Sequence, residues 1–328
     1  MRFPRLHRAS IAGLAALTAI TLTATGCGGG GGSTKKSASG LEKTELNVGM
    51  LPVADAAQLK IAIDRGLFKA QGLTVKPQIL QGGAEAIPKL KSGNLDLSFG
   101  AYVPFFMAQA AGAINLRIVA DAFQSAPGTH VILVAKDSPI HSIKDLTGKK
   151  VGVNVKHNLS SLMVQATLQP SGIKLDDDKN FVPIPFPQME TALKTHSVDA
   201  VQAVEPFNTQ LQKSIGARLI TDLSQGPTVN FPVAGFATTQ EFAKKNPKTV
   251  AAFQRAIAAA QALIADRKIL EQVLPTYTKI DAATATTLHY GSYPTSLSTT
   301  RLQRVADIMQ QYQYLTKPFD VKPLVSTG

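Results

Sequence analysis

The chain has 328 residues, with 34 lysines and arginines against 22 aspartates and glutamates, and its formal net charge at neutral pH is +12. This length can supply one large hydrophobic core or two medium ones. The sequence contains one cysteine, so no disulfide can form within the chain and its stability must come from the burial of apolar side chains.

The N-terminal segment is typical of an exported lipoprotein. Three arginines precede an apolar stretch over 11–22, and the small residues 24–26 lead to Cys27. This order predicts a signal peptide over 1–26 and a diacylated Cys27 as the mature N-terminus. The apolar stretch is too short for a membrane-spanning helix, which needs about 20 apolar residues. The alternative is an ordinary cleaved signal with an unrelated cysteine nearby.

The residues that follow Cys27 are rich in glycine, serine and lysine. Such a composition cannot bury enough apolar surface to fold, so 27–43 is predicted to be a flexible tether. The chain is therefore expected at the extracytoplasmic face of the cell membrane, anchored by lipid. In that compartment we expect no nucleic acid partner, and a basic surface near anionic lipid or wall polymer explains the positive charge better.

Beyond the tether, the sequence repeats itself at one spacing. The motif at 90–97 resembles the motif at 193–200, and residues 48–49 match residues 151–152, so both pairs are 103 residues apart. Each copy is predicted to contain a strand, a helix, a second strand and helix, and a third strand and helix. This alternation predicts a doubly wound α/β lobe that is formed twice.

Two apolar runs, 130–136 and 231–237, follow the first and the second copy. We interpret them as strands that cross between the lobes and form a two-strand hinge. This interpretation divides the chain into a first lobe of 44–133 plus 236–328 and a second lobe of 134–235. The amphipathic helices near the C-terminus are expected to pack their apolar faces on the first lobe.

Five segments carry a resemblance to a known family, at 48–52, 64–75, 90–96, 142–153 and 198–206. In this order they resemble a substrate-binding protein of an ABC importer, in the nitrate, sulfonate and taurine group that also contains thiamine-pyrimidine binders. The resemblance implies a type II periplasmic-binding-protein fold, a small-molecule solute in the cleft between two lobes, and hinge closure on binding. It also implies delivery of the solute to a membrane permease driven by a cytoplasmic ATPase. We expect a monomer without catalytic residues or cofactors.

The predicted ligand site follows from the fold, because ligands of open α/β sheets bind beyond the carboxyl ends of the strands. Those ends are predicted near 51–55, 81–84, 100–104, 154–158, 185–188 and 204–208. Several of these turns lead into helix N-termini, whose unpaired N–H groups favour an anion. The candidate ligand-binding residues are Asp55, Gln81, Gly82, Gly83, Ala101, Tyr102, Asn154, His157, Asn158, Glu205 and Phe207.

Two acids in these turns are candidates for binding an amine. Glu205 is the preferred one, because it follows an apolar strand, where an unpaired charge would be costly to bury. Its alternative role is that of a solvent-facing loop acid. Asp55 is predicted to be the N-cap of the first helix, a role that is compatible with ligand contact, and Asn158, 103 residues later, to be the N-cap of the corresponding helix of the second copy.

The remaining candidates each have a second interpretation. Tyr102, Phe186 and Phe207 are either flat walls for an apolar or ring-bearing ligand or part of the core. The glycines at 82–83 suit a close approach of backbone to ligand, or an ordinary turn. His157 is either a ligand contact or a surface histidine.

None of the six turns contains an arginine, which weakens the case for a bidentate clamp on a sulfonate or carboxylate. Two acids and several helix ends would suit a molecule with an amine and an anionic or polar group. A taurine-like solute is one hypothesis, and a neutral heterocycle such as an aminopyrimidine is the other.

Other function classes have weaker support. The eukaryotic thiamine-pyrimidine synthase has the same fold but carries a cysteine-rich motif, and this chain has no cysteine after Cys27. The sequence contains no H-E-x-x-H, P-loop or G-x-S-x-G motif. Its histidines lack metal-ligand spacing, so no metal site is predicted. A ligand-sensing accessory lipoprotein is the remaining alternative.

Overall fold

The computed structural model describes residues 40–325, so the predicted signal peptide, Cys27 and most of the tether lie outside the described residues. Within 40–325 the strands are β1 (Glu45–Met50), β2 (Thr74–Ile79), β3 (Leu97–Ala101), β4 (Leu116–Gln124), β5 (His130–Val134), β6 (Val151–Val153), β7 (Phe181–Pro183), β8 (Ala200–Val204), β9 (Arg218–Asp222) and β10 (Pro232–Thr239). The α-helices are α1 (Ala57–Asp64), α2 (Leu67–Ala70), α3 (Ala86–Lys91), α4 (Tyr102–Ala110), α5 (Leu159–Leu168), α6 (Met189–Lys194), α7 (Phe207–Ile215), α8 (Gln240–Lys245), α9 (Pro247–Leu263), α10 (Arg267–Val273), α11 (Ala282–Ala285) and α12 (Thr299–Gln311).

The strands form two five-stranded sheets with the same topology. The first sheet has the order β2-β1-β3-β10-β4, and the second has the order β7-β6-β8-β5-β9. In each sheet the first three strands are parallel, and the fourth runs antiparallel to the third. The predicted α/β class with two similar lobes is confirmed. We name the lobes by their sheets, the first lobe and the second lobe.

The internal repeat extends to the register of strand pairing. Val48 of β1 pairs with Leu97 of β3, and Val151 of β6 pairs with Ala200 of β8. Both partners therefore shift by the same 103 residues that separate the sequence motifs. The repeat is thus a repeat of backbone geometry as well as of sequence.

The two connections between the lobes lie next to the strands that we interpreted as the hinge. β5 pairs only with strands of the second sheet and β10 only with strands of the first, so the chain crosses at 125–129 and 223–231. The two crossings touch, because the N–H of Ser125 donates to the carbonyl of Phe231 at 2.9 Å. An apolar run in the sequence indicates a buried strand but not the sheet to which the strand belongs. The division of the chain into lobes that we inferred from the sequence stays a prediction.

The C-terminal helices pack on the first lobe, as expected from their apolar faces. α9 lies against α1 and α2, and the ring of its Phe253 stacks on Phe68 with centroids 5.3 Å apart. α12 lies against α4 and β10. Full burial of a side chain such as Phe253 stabilises the fold by about 1.5–3 kcal/mol. Among the helices of 40–325, none combines the length and the apolar character that crossing a membrane requires.

Candidate functional site

A small cavity of about 60 Å³ lies between the two lobes. It is formed at the carboxyl ends of strands from both sheets, the position at which the sequence predicts a ligand cleft. Its walls from the first lobe are Leu51, Val53, Asp55, Phe99, Ala101, Val233 and Ala234. Its walls from the second lobe are His130, Asn154, Asn158, Leu159, Ser160, Phe186 and Val204.

Four of the predicted ligand-binding residues therefore line one cavity: Asp55, Ala101, Asn154 and Asn158. Gly82 is buried nearby, where the lobes approach each other closely. A Cβ atom at this position would lie 3.2 Å from Oδ1 of Asn154. The glycine thus allows its turn on the first lobe to reach the second lobe.

Asp55 has a different local role from the one predicted. It lies in a 3-10 turn over Ala54–Ala56, and the N-caps of this turn and of α1 are Val53 and Ala56, without side-chain capping bonds. The N-cap prediction is wrong because the added turn moves the start of α1 to Ala57. The Asp55 carboxyl is instead left at the cavity wall.

The environment of Asp55 disfavours its charge. The side chain is 6% exposed and has no ion-pair partner among residues 40–325. Burial, which is the largest cause, and the nearby charge of Glu205 together raise the pKa of Asp55 to about 8. A buried carboxyl of this kind is neutral at pH 7 unless a cation binds to it.

Three hydrogen bonds hold the turn that carries Asp55. The hydroxyl of Tyr277 donates to the carbonyl of Val53 at 2.9 Å, and that of Tyr293 donates to the carbonyl of Ala54 at 2.8 Å. The N–H of Ala54 donates to the carbonyl of Glu205 at 3.1 Å and so joins the lobes. Sequence reasoning missed both tyrosines, because they lie more than 220 residues from the turn.

The Glu205 carboxylate is occupied by donors from the protein. It accepts the N–H of Thr209 at 3.2 Å and the Thr209 hydroxyl at 2.9 Å, at the start of α7. It also accepts the N–H of His289 at 3.1 Å, and its Oε1 lies 3.1 Å from the His289 ring. The buried carboxylate of Glu205 is thus paired with hydrogen-bond donors, as the cost of burying an unpaired charge requires. In this conformation Glu205 is 1% exposed and does not line the cavity, so Asp55 replaces it as the candidate for binding a solute amine.

His130 is a cavity residue that sequence reasoning missed. It is 1% exposed at the start of β5, and burial lowers its pKa to about 4, so the imidazole is neutral. Its Nε2 has no hydrogen-bond partner among the described residues. The available signal was a polar residue at the head of an otherwise apolar run, but we interpreted that run only as a strand.

The predicted aromatic walls lie in different places. Phe186 lines the cavity and stacks on Phe207 with centroids 5.4 Å apart, while Phe207 lines a neighbouring outer groove of about 520 Å³. Tyr102 is in the core of the first lobe and donates to Oδ1 of Asp121 at 2.8 Å. Arg301 pairs with the same carboxylate at 2.6 Å, so Tyr102 belongs to an internal polar network.

The other predicted residues lie outside the cavity lining. Nδ1 of His157 is 2.7 Å from Asp177, and the histidine is mostly exposed. Gln81 is also exposed, and its N–H donates to Oε2 of Glu85 at 2.9 Å. Gly83 begins the short 3-10 turn Gly83–Glu85. Their binding of a solute stays a prediction that this conformation does not favour.

The polar groups of the cavity come from both lobes. Among its described lining residues there is no lysine or arginine, and Asp55 is the one acid. On the opposite wall α5 begins, with Asn158 as its N-cap accepting the N–H of Leu159 at 2.6 Å. The cap predicted for this helix is confirmed. The site thus offers a carboxyl and a neutral imidazole for donors, and a helix N-terminus for an acceptor or an anion.

The NMT1-like family matches residues 39–274 of the chain. The chain belongs to this family.

Curated relatives include transport proteins. The nitrate/nitrite binding protein NrtA of Nostoc sp. is 26% identical over 245 residues, which are 69% of this chain and 55% of that one. The nitrate import ATP-binding protein NrtC of Synechocystis sp. is 25% identical over 252 residues, 72% of this chain and 37% of that one. The chain thus spans about half the length of these relatives or less.

A similar solved structure is that of the alkanesulfonate-binding protein SsuA from Xanthomonas axonopodis pv. citri bound to MOPS. It has a TM-score of 0.74 at 21% identity, over 87% of this chain and 99% of that one. At this identity the likeness shows the fold alone. The predicted type II periplasmic-binding-protein fold is confirmed.

Proposed function

We propose that this member of the NMT1-like family is the extracytoplasmic solute-binding component of an ABC importer, and that its cavity captures a small polar solute through a protonated amine. The observation that carries the proposal is the carboxyl of Asp55, which is buried at the cavity wall and has no ion-pair partner within 40–325. A bound ammonium group would supply the missing counter-charge.

The energetics of such a site are sufficient for capture at micromolar concentrations. A hydrogen bond to a charged group contributes about 1.5–3 kcal/mol. Several such bonds, less the cost of ordering the solute and the lobes, reach the roughly −8 kcal/mol that corresponds to a micromolar Kd. Asp55 and the N-terminus of α5 would each supply some of these bonds.

The same geometry argues against a simple anion such as nitrate or an alkanesulfonate. Neither would gain a cationic side chain from the described lining residues, and both would meet the carboxyl of Asp55. A taurine-like solute is better suited, because its amine can reach an acid while its sulfonate faces the N-terminus of α5. The Phe186 ring suits the competing hypothesis, an aminopyrimidine, which would stack on it.

Binding would require the lobes to separate and close again. The cavity of about 60 Å³ is less than half of the roughly 150 Å³ that holds a benzene molecule. The solute would therefore enter an open form and stabilise a closed one, which the permease and its ATPase would recognise. We further propose that the protein is a monomer anchored by lipid at Cys27.

The first test is thermal unfolding of the purified protein with taurine, aminopyrimidines, amino acids, alkanesulfonates and nitrate. A ligand at 100 times its Kd adds about 2.7 kcal/mol to the stability of the native state. We expect stabilisation by compounds that carry an amine, and its loss in Asp55→Asn. Asp64→Asn is the matched control, because this carboxylate is exposed on α1 and pairs with Lys60. Stabilisation by nitrate or alkanesulfonates that survives Asp55→Asn would overturn the proposal.

A further inference from the structure

His130 lines the cavity from the second lobe, and one of its ring nitrogens is unpaired among the described residues. It is 1% exposed and lines the cavity wall opposite Asp55, and its Nε2 is buried without a hydrogen-bond partner among residues 40–325. Leaving a buried polar atom unpaired is costly, so such an atom in a cavity indicates a missing partner.

The hydrogen bonds around Thr129 favour the Nδ1–H tautomer of His130. The Thr129 hydroxyl has one proton, and it donates that proton to the carbonyl of Ala126 at 2.7 Å. Nδ1 of His130 lies 3.1 Å from the same hydroxyl oxygen. With the hydroxyl proton on the bond to Ala126, that oxygen has no second proton to give, and Nδ1 is the donor in this arrangement. Burial lowers the pKa of His130 to about 4, so the ring carries no second proton and Nε2 is a bare acceptor.

Each lobe therefore supplies an acceptor-bearing residue to the cavity lining. Asp55 lines it from the first lobe, and His130, whose Nε2 has no partner among the described residues, lines it from the second. A single nitrogen centre can satisfy both only if it carries at least two N–H donors. A primary ammonium has three such donors, whereas a fully methylated ammonium has none.

We propose that His130 is a specificity-determining residue of the cavity, and that it selects solutes whose primary ammonium group bridges Nε2 of His130 and the carboxylate of Asp55. This inference rests on the proposed function and specifies the chemistry of its head group. Because the two acceptors belong to different lobes, the same bridge links recognition of the amine to closure. A solute that reaches Asp55 alone binds one lobe and leaves the imidazole unpaired.

The test titrates the purified protein with taurine and with its N-methyl, N,N-dimethyl and N,N,N-trimethyl derivatives. We expect affinity to fall along this series, by about 10- to 100-fold once fewer than two N–H donors remain. His130→Phe keeps a flat ring but removes the acceptor, so it should weaken taurine binding by a similar factor and flatten the series. His130→Gln, whose amide oxygen can take the place of Nε2, should restore part of the preference.

The outcomes separate this inference from the proposed function. If Asp55→Asn abolishes taurine binding but His130→Phe leaves the affinity and the methylation series unchanged, the bridge is wrong and the amine site survives. If no amine-bearing compound of the panel binds the wild-type protein, or if neither variant changes the affinity for taurine, both are overturned.

A second measurement does not depend on the variants folding. Nitrogen-15 NMR of the wild-type histidine rings should show His130 as the neutral Nδ1–H tautomer, with the Nε2 resonance shifting when taurine is added. A proton on Nε2 in the ligand-free protein would overturn the assignment of this atom as an acceptor.

Discussion

Asp55→Asn should make the ligand-free protein more stable, and the gain should grow with pH. In the unfolded chain the carboxyl ionises near its ordinary pKa of 3.8, but burial raises the folded-state pKa of Asp55 to about 8. Between these values the folded state holds a proton that the unfolded state releases, so wild-type stability falls as pH rises from about 4 to about 8. An asparagine at this position has no charge to lose.

The size of the effect follows from the pKa shift. One pKa unit corresponds to about 1.36 kcal/mol, so a shift of this size sets an upper bound of roughly 5 kcal/mol at pH 8. Separation of the lobes would hydrate the carboxyl and reduce this value. We therefore expect Asp55→Asn to raise the free energy of unfolding by ~2–4 kcal/mol more at pH 8 than at pH 4.

Chemical denaturation at pH 4, 5, 6, 7 and 8 measures this difference directly. The exposed-site control Asp64→Asn should change the free energy of unfolding by a small amount that is similar at every pH, within about 0.5 kcal/mol. If Asp55→Asn is also independent of pH, or if it destabilises the protein increasingly as pH rises, the carboxyl carries no burial penalty and the reasoning is refuted.

Three further predictions concern closure and binding. The affinity for taurine should rise by up to about tenfold per pH unit between pH 6 and 8, because Asp55 must lose its proton to pair with the amine; calorimetry showing constant affinity would contradict this. Glu205→Gln should lower the free energy of unfolding by about 1.5–3 kcal/mol, because the N–H groups of α7 and His289 lose a charged acceptor; a change under ~0.5 kcal/mol in chemical denaturation would argue against it. Gly82→Ala should favour the open form, because its Cβ would lie 3.2 Å from Oδ1 of Asn154, and a radius of gyration in solution scattering equal to that of the wild type would count against that crowding.

The fold was largely accessible from the sequence because it is formed twice. The motifs at 90–97 and 193–200 are 103 residues apart, as are the strand residues 48 and 151. The same separation reappears in the register of both sheets. Strand ends and helix starts then follow from local rules, as Asn158 illustrates. Local rules do not predict the sheet to which β5 or β10 belongs, because a buried apolar strand can lie in the interior of either lobe.

The candidate site was accessible only in outline. Strand ends gave the position of the cavity, but not which of the two acids in its turns is free. Glu205 and Asp55 exchange roles because Thr209 and His289 satisfy the glutamate, while a 3-10 turn held by distant hydroxyl groups presents the aspartate to the cavity. These partners come from segments that no local pattern connects. His130 was missed for the same reason, because its unpaired nitrogen is visible only in the packed structure.

The most direct test of the central claim is calorimetric titration of taurine into the wild-type protein and into Asp55→Asn at pH 8. The account predicts one site per chain in the wild type, with micromolar affinity, and binding at least ~10-fold weaker in the variant, because a charge-assisted bond to a buried carboxylate is lost. Equal affinities for the two proteins, or displacement of taurine by nitrate at a similar concentration, would contradict the claim that Asp55 binds the amine of the solute.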